Sequence, residues 1–369
     1  MNMAYGSSFT RRGFLRGAAG VCALGLSGAL IGCGGSSSGS SSSSNSSSAG
    51  SGGSSSAAHK IEMVTDTGGV NDQSFNQLAW SGLQQLQSDE GWQVSYLESK
   101  QESDYATNLD KAVDDGSELV WGIGFAMAEA VGKAAATNPD VQFAIIDNAN
   151  PTDGSNLTGV QFRAQEPSFL VGYIAARTSK TGQVGFVGGI SSDIIDQFEY
   201  GYKGGVAYAN REQGTNVEIQ AQYAESFSDS AKGKSIASKM FSSGCDVVFH
   251  ASGGTGTGVI EAAKDAGKFA IGVDMDQSFL APDNVLTSAL KRVDVAVADV
   301  SRKLINGETK GGSNMNLGLT EGCVGIPEDH SLMDDAVYQA AVALEDKIKS
   351  GDIVPPANSS ELDAFTSKL

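Results

Sequence analysis

Short apolar runs and stretches of helical periodicity alternate from residue 59 onward. Residues 61–65 (Ile-Glu-Met-Val-Thr) read as a strand, and Phe75, Leu78, Ala79, Leu83 and Leu86 recur at the three- and four-residue spacing of a helix buried on one face. The same alternation predicts strands at 94–97, 119–122 and 143–147, with helices near 104–115 and 126–137 between them. It restarts with a helix near 166–180 and a strand at 184–187, then a helix near 196–212 and a strand at 217–223. A helix near 229–242, a strand at 246–250, a helix near 256–266 and a strand at 269–273 follow. Strands that are nearly continuous apolar runs, separated by helices, imply parallel sheets covered on both faces. Two successive series of such units imply two doubly wound α/β domains, which a chain of 369 residues accommodates.

The first 57 residues follow no such pattern. Residues 10–16 read Thr-Arg-Arg-Gly-Phe-Leu-Arg, and an apolar stretch from Gly17 to Gly32 follows. That stretch is short and glycine-rich, which suits the apolar region of a signal peptide better than a membrane span. The Arg11–Arg12 pair before it resembles a twin-arginine export signal. Leu30-Ile31-Gly32-Cys33 resembles the lipobox of bacterial lipoproteins, which implies cleavage before Cys33 and lipid on the new terminus. Residues 34–57 contain only Gly, Ser, Ala and Asn. Such a segment cannot bury a core, and 24 residues of flexible coil span roughly 25–30 Å. The expected order is a signal peptide over 1–33, a linker over 34–58 and a folded body, lipid-anchored on the extracytoplasmic face of the cell membrane.

Charge and composition narrow the function classes. The formal net charge is −18, and the three arginines of the leader leave the body with 22 basic and 43 acidic residues. That balance argues against nucleic acid as a partner, since a broad basic surface is required. Beyond the leader no apolar run is long enough to span a bilayer. Of the four cysteines, Cys22 falls in the leader and Cys33 at the lipobox, leaving Cys245 and Cys323 as either a disulfide or two free thiols. The three histidines, His59, His250 and His330, are far apart, and no spacing suggests a metal site or a bound cofactor.

In doubly wound sheets, ligands bind beyond the carboxyl ends of the strands. That rule selects Asp66-Thr67-Gly68-Gly69, Gly122-Ile123-Gly124-Phe125, Asp147-Asn148, Gly188-Gly189, Ala251-Ser252-Gly253-Gly254 and Asp274-Met275-Asp276. These polar, glycine-rich segments occur in both halves, so the expected site lies between the domains. The run Gly253-Gly254-Thr255-Gly256-Thr257-Gly258 lacks the register of a dinucleotide fingerprint. Gly233-Lys234-Ser235 lacks the upstream glycine of a phosphate loop. Both read as tight turns and helix starts, although N–H groups of the former suit a neutral polar ligand.

A specific resemblance begins at residue 66. Asp66-Thr67-Gly68-Gly69-Val70-Asn71-Asp72-Gln73-Ser74-Phe75-Asn76-Gln77 resembles the opening motif of the basic membrane protein family, the PnrA-like substrate-binding lipoproteins of ABC transporters. Further similar segments run in order: residues 169–176, 184–189, 198–206, 226–229 and 253–256, then Ile271-Gly272-Val273-Asp274-Met275-Asp276-Gln277 and 286–291. The resemblance covers nearly all of 60–300. It implies a type I periplasmic-binding-protein fold, two α/β lobes joined by a crossover hinge. Crossovers are expected near 162–165, 287–291 and 318–322. One lobe would combine 59–163 with 290–320, and the other 164–289 with 321–369. The implied partners are a purine nucleoside (guanosine, adenosine or inosine) and an ABC permease with its ATPase, and the implied state is a monomer.

By the same resemblance, Phe75 and Phe227 stack on a base from opposite lobes and Phe198 forms a further wall. Asp147 and Asp274 would accept hydrogen bonds from ribose hydroxyls or base N–H groups. Asp66, Ser74, Gly253 and Lys291 complete the expected site. Each has a structural alternative: core packing for the three phenylalanines, a cap or turn for the aspartates and Ser74, a solvated face for Lys291. Two other functions fit the fold, a sugar-binding protein or nutrient sensor and, more remotely, a nucleoside-cleaving enzyme using paired aspartates. No nucleophile-and-base set or nucleophile elbow supports catalysis.

Overall fold

The structure is a computed structural model that describes residues 58–369. The expected signal peptide, nearly all of the linker and Cys33 lie outside the described residues. Twelve strands form two six-stranded sheets. The first contains β1 (Lys60–Thr65), β2 (Gln93–Leu97), β3 (Leu119–Ile123), β4 (Gln142–Ile146), β5 (Leu157–Phe162) and β11 (Asn314–Leu317), in the order β11-β5-β4-β3-β1-β2. All its pairings are parallel. The second contains β6 (Gln183–Gly188), β7 (Glu218–Tyr223), β8 (Val247–Ala251), β9 (Phe269–Asp274), β10 (Val285–Lys291) and β12 (Val324–Gly325), in the order β12-β10-β9-β8-β6-β7. Only β12 runs antiparallel, at the edge.

The helices cover both faces of each sheet. Around the first lie α1 (Phe75–Glu90), α2 (Asp104–Asp114), α3 (Ala128–Thr137) and α8 (Val293–Ile305). Helix α8 joins this lobe by packing on α1, where a Cβ on Gly82 would stand 2.4 Å from the Asp294 carbonyl oxygen. The indole N–H of buried Trp121 donates to Ser301 on α8, at 2.9 Å. Around the second sheet lie α4 (Gln165–Thr178), α5 (Asp193–Gln213), α6 (Ser230–Ser242), α7 (Thr255–Ala266), α9 (Asp335–Lys349) and α10 (Ser359–Thr366).

Helix α4 is apolar nearly all round, as a helix enclosed by protein should be. Its residues Glu166 to Ala175 are all buried. Close approach to α5 requires glycine: a Cβ on Gly205 would meet the Phe169 carbonyl oxygen at 2.0 Å, and one on Gly172 the Tyr202 carbonyl oxygen at 2.2 Å. Helix α5 starts earlier than its periodicity predicts, at Asp193, because Ser192 caps it by accepting from the Ile195 N–H. It stops at Gly214, whose φ of 64° glycine supplies without strain.

The chain passes between the sheets three times, after β5, after β10 and after β11. The second passage comes later than the expected 287–291, because β10 stays paired with β9 through Leu290↔Asp274. Arg163 ties the first passage to the third. Its guanidinium contacts Glu166 at 2.6 Å and Glu321 at 2.5 Å, and donates to the Asn316 carbonyl. Cys245 and Cys323 are buried free thiols, which resolves the alternative left open by their number. Among the described residues, no helix is long and apolar enough to cross a membrane.

Candidate ligand-binding cleft

The carboxyl ends of both sheets face a pocket between the lobes that encloses about 510 Å³ of space, part of it open to solvent. Of the residues expected from sequence, Asp66, Phe75, Asp147, Phe198, Phe227, Gly253, Asp274 and Lys291 line it. Ser74 does not line it, but its hydroxyl donates to Asp274 of the opposite lobe at 2.5 Å.

Four buried or nearly buried carboxylates gather here, each held differently. Asp66 follows β1 and accepts from the Gly68 N–H at 2.8 Å and the Asn76 amide at 2.9 Å. Asp72 accepts from the N–H groups of Ser74, Asn76 and Gln77. It therefore does the capping of α1 that Ser74 was suited to do; the Ser74 side chain makes no cap. Burial pushes both Asp66 and Asp72 above the usual carboxylate range, against the pull of these donors.

Asp147 and Asp274 occupy equivalent places in the two lobes. Asp274 ends β9, and Asp147 directly follows β4. Both have left-handed backbones, with φ of 63° and 65°. Aspartate tolerates that conformation better than most residues, which favours it over bulkier side chains here. Lys291, at the end of β10 in the second lobe, reaches across to Asp147, Nζ to Oδ2 at 2.5 Å, with both side chains almost fully buried. The ammonium also lies 4.7 Å from the Phe75 ring centre, 5.2 Å from Phe162 and 5.7 Å from Phe198. Those ring faces are negative and complement a cation. Lys291 is thus neither solvated nor free. Burial raises Asp274 to about 6, the nearby Asp72 and Asp147 charges add to the rise, and Lys291 and the Ser74 hydroxyl oppose it.

The remaining walls are apolar. Phe125 of the first lobe meets Phe227 of the second edge to face, with ring centres 6.3 Å apart. Phe227 lies so close to the chain at Gly189 that a Cβ there would stand 2.1 Å from its ring. Phe198 serves both purposes considered for it: it lines the cavity and is a core residue, 2% exposed, packed near Phe249. In the segment 253–258, the N–H groups of Gly256 and Thr257 bond within their own turn and that of Thr255 is shared between the Ser252 and Phe227 carbonyls, while Gly253 faces the cavity.

Sequence reasoning did not single out Asn76, Ile194 and Ile195, which also line the cavity, and it placed Asp72 in no ligand role. Gly124, Phe125 and Ser252 were within the strand-end segments and could have been selected there. Nothing in the local pattern marks the two isoleucines, which open helix α5. Together the walls offer flat apolar surfaces beside hydrogen-bond acceptors and one cation. Such a cavity suits a ligand with an aromatic face and a rim of N–H and O–H donors. Among the described residues, no cluster of metal-ligating side chains occurs.

Two lobes closing on an interlobe cavity define a solute-binding protein of the type I periplasmic fold. A structure described as a solute-binding protein of an ABC transporter system, from Aeropyrum pernix, superposes with a TM-score of 0.76 at 28% identity, covering 84% of this chain and 98% of that one. Residues 59–359 match the family profile described as ABC transporter substrate-binding protein PnrA-like. Basic membrane protein A of Borreliella burgdorferi is 39% identical over 311 residues, 83% of this chain and 90% of that protein. The ABC transporter nucleoside-binding protein BmpA of Lactococcus lactis subsp. cremoris is 38% identical over 310 residues, 78% of this chain and 87% of that one. The chain belongs to the PnrA-like family of ABC transporter substrate-binding proteins.

Proposed function

We propose that this protein is a lipid-anchored receptor that closes on a purine nucleoside and delivers it to an ABC permease. The observation that carries the reading is the composition of the cleft: aromatic walls from both lobes beside aspartates at equivalent strand ends. Phe75 and Phe227 supply faces for the base, with stacking worth about 1–3 kcal/mol per base. Asp274 and Asp66 retain acceptor capacity for ribose hydroxyls or base N–H groups, and Lys291 keeps the enclosed charge in check. Similarity to a nucleoside-binding relative supports the same ligand class.

The ligand favours the closed arrangement through contacts that do not exist when the lobes part, and the permease reads that arrangement. The lipid at Cys33 and the Ser/Gly-rich linker keep the receptor beside its permease. No turnover is involved.

Isothermal titration of ligand-stripped protein against guanosine, adenosine, inosine, pyrimidine nucleosides, free bases, ribose and hexoses tests the reading. Micromolar or tighter binding to purine nucleosides is expected. Heat only with hexoses, or no heat from a folded sample, would sink it. Palmitate labelling in cells, lost in Cys33→Ser, tests the anchor separately.

A further inference from the structure

The lobes also meet at a contact outside the cavity walls. Gln277, in the turn after β9, is completely buried. Its Oε1 accepts from the Val273 N–H at 2.9 Å and lies 2.9 Å from His250 Nε2. Its side-chain N–H donates across the interface to the carbonyl of Gln73, in the first lobe, at 2.9 Å. A backbone N–H can only donate, so the Val273 bond itself decides which end of the amide is oxygen.

Everything that orients this amide, apart from Gln73, belongs to the second lobe. With Oε1 as acceptor, His250 must carry its proton on Nε2, and its Nδ1 faces the Ser252 hydroxyl at 3.4 Å. Burial lowers His250 to about 4, so the ring is neutral in ordinary buffers. The imidazole rests against α7, where a Cβ on Gly256 would stand 2.0 Å from it. Gly272 clears space on the other side, since a Cβ there would lie 2.7 Å from Gln277 Oε1. The backbone N–H of Gln277 donates to Ser288 on β10. The facing Gln73 holds a left-handed backbone, with φ of 57°.

We propose that Gln277 is a positioning residue for ligand capture, a latch pre-oriented by His250 and Val273 that holds the lobes together without touching the ligand. This rests on the cleft being the ligand site and assigns the residue that sets how long the ligand stays. When the lobes part, the Gln277 amide and the Gln73 carbonyl both return to water. When they close, the two groups satisfy each other at a half-buried contact, with the Gln277 side fully enclosed. The gain is independent of ligand identity, so it slows the release of every ligand by the same factor. Association is decided while the lobes are open and does not depend on it.

The test uses the full chain in detergent with Gln277→Glu and Gln277→Met. Glutamate sets a carboxylate oxygen against the Gln73 carbonyl, and methionine keeps the length without a donor. One readout is the release of labelled guanosine into an excess of unlabelled guanosine. The other is hydrogen–deuterium exchange of ligand-free protein at peptides covering residues 70–78 and 272–280. Release about tenfold faster is expected, the change in equilibrium that one hydrogen bond is worth. Association and the guanosine, adenosine and inosine ranking should stay unchanged, with faster exchange at both peptides. Unchanged release with unchanged exchange would overturn the latch. A changed ligand ranking would overturn it too, by making Gln277 a ligand contact. Should native protein bind no nucleoside, the ligand assignment fails while the exchange comparison still decides the latch.

Discussion

Replacing Lys291 by methionine tests the electrostatic logic of the cleft. The substitution preserves a long apolar stem against Phe75, Phe162 and Phe198 and removes the cation that faces Asp147 and Asp274. Removing one partner of a buried ion pair costs about 3–5 kcal/mol. The open lobes let the freed carboxylates reach water, so the cost falls on the closed, liganded state, and affinity at neutral pH should drop about 150- to 5,000-fold. The pH dependence follows from Asp274. Closure raises it from an ordinary value of about 3.9 to about 6, so closing takes up a proton within that window. The closed state is therefore favoured at low pH and loses about 3 kcal/mol as pH rises through the window. Ligand donors that satisfy the carboxylate offset part of that loss. Without Lys291, which opposes the rise, Asp274 moves further up and the window widens upward. Titration calorimetry with guanosine at pH 5, 6, 7 and 8 should show a deficit for Lys291→Met that widens from pH 5 to pH 8. Near-native affinity at pH 7, or a deficit that does not vary with pH, would refute the reasoning.

Phe227→Ala should weaken nucleoside binding by the stacking term of about 1–3 kcal/mol, read by the same calorimetry, with little change in ribose binding. Asp72→Ala removes the acceptor for three N–H groups at the start of α1 and should cost about 1–2 kcal/mol in chemical denaturation. Ser74→Ala, which removes no cap, should leave that midpoint nearly unchanged while weakening ligand binding through Asp274. Gly205→Ala drives a methyl group into the Phe169 carbonyl and should destabilise by at least about 1–3 kcal/mol, visible as a lowered thermal midpoint; an unchanged midpoint would mean that α4 and α5 can separate freely.

Much of the architecture was legible because parallel α/β units announce themselves locally. Strands β3 and β8 are buried at every position and apolar except at His250, and the helices between strands show one-sided periodicity. Their succession identifies the sheet type, and the strand-end rule then points to Asp147 and Asp274 before any contact is known. The less regular part of the chain was harder. Strand β5 contains Thr158, Gly159 and Gln161, and β11 alternates exposed with half-buried residues, so neither forms an apolar run. The start of α5 was missed because its first turn is acidic and depends on the Ser192 cap rather than on periodicity.

Ser74, Asp72 and Lys291 mark where local pattern stops being informative. A serine before a helix is a natural cap, yet Asp72 takes that role and Ser74 turns to a carboxylate 200 residues away. A lysine after an apolar strand suits solvent, yet this one is buried beside Phe198 of its own lobe because the other lobe brings Asp147, Phe75 and Phe162 against it. Periodicity, strand-end chemistry and motif resemblance were properties of the chain alone, since each depends on residues near one another in sequence. Which carboxylate is paired, which caps, and which amide crosses between lobes depends on two surfaces meeting. Only the folded arrangement of both lobes decides that, because a hydrogen bond or buried charge takes its worth from the partner and the excluded water around it.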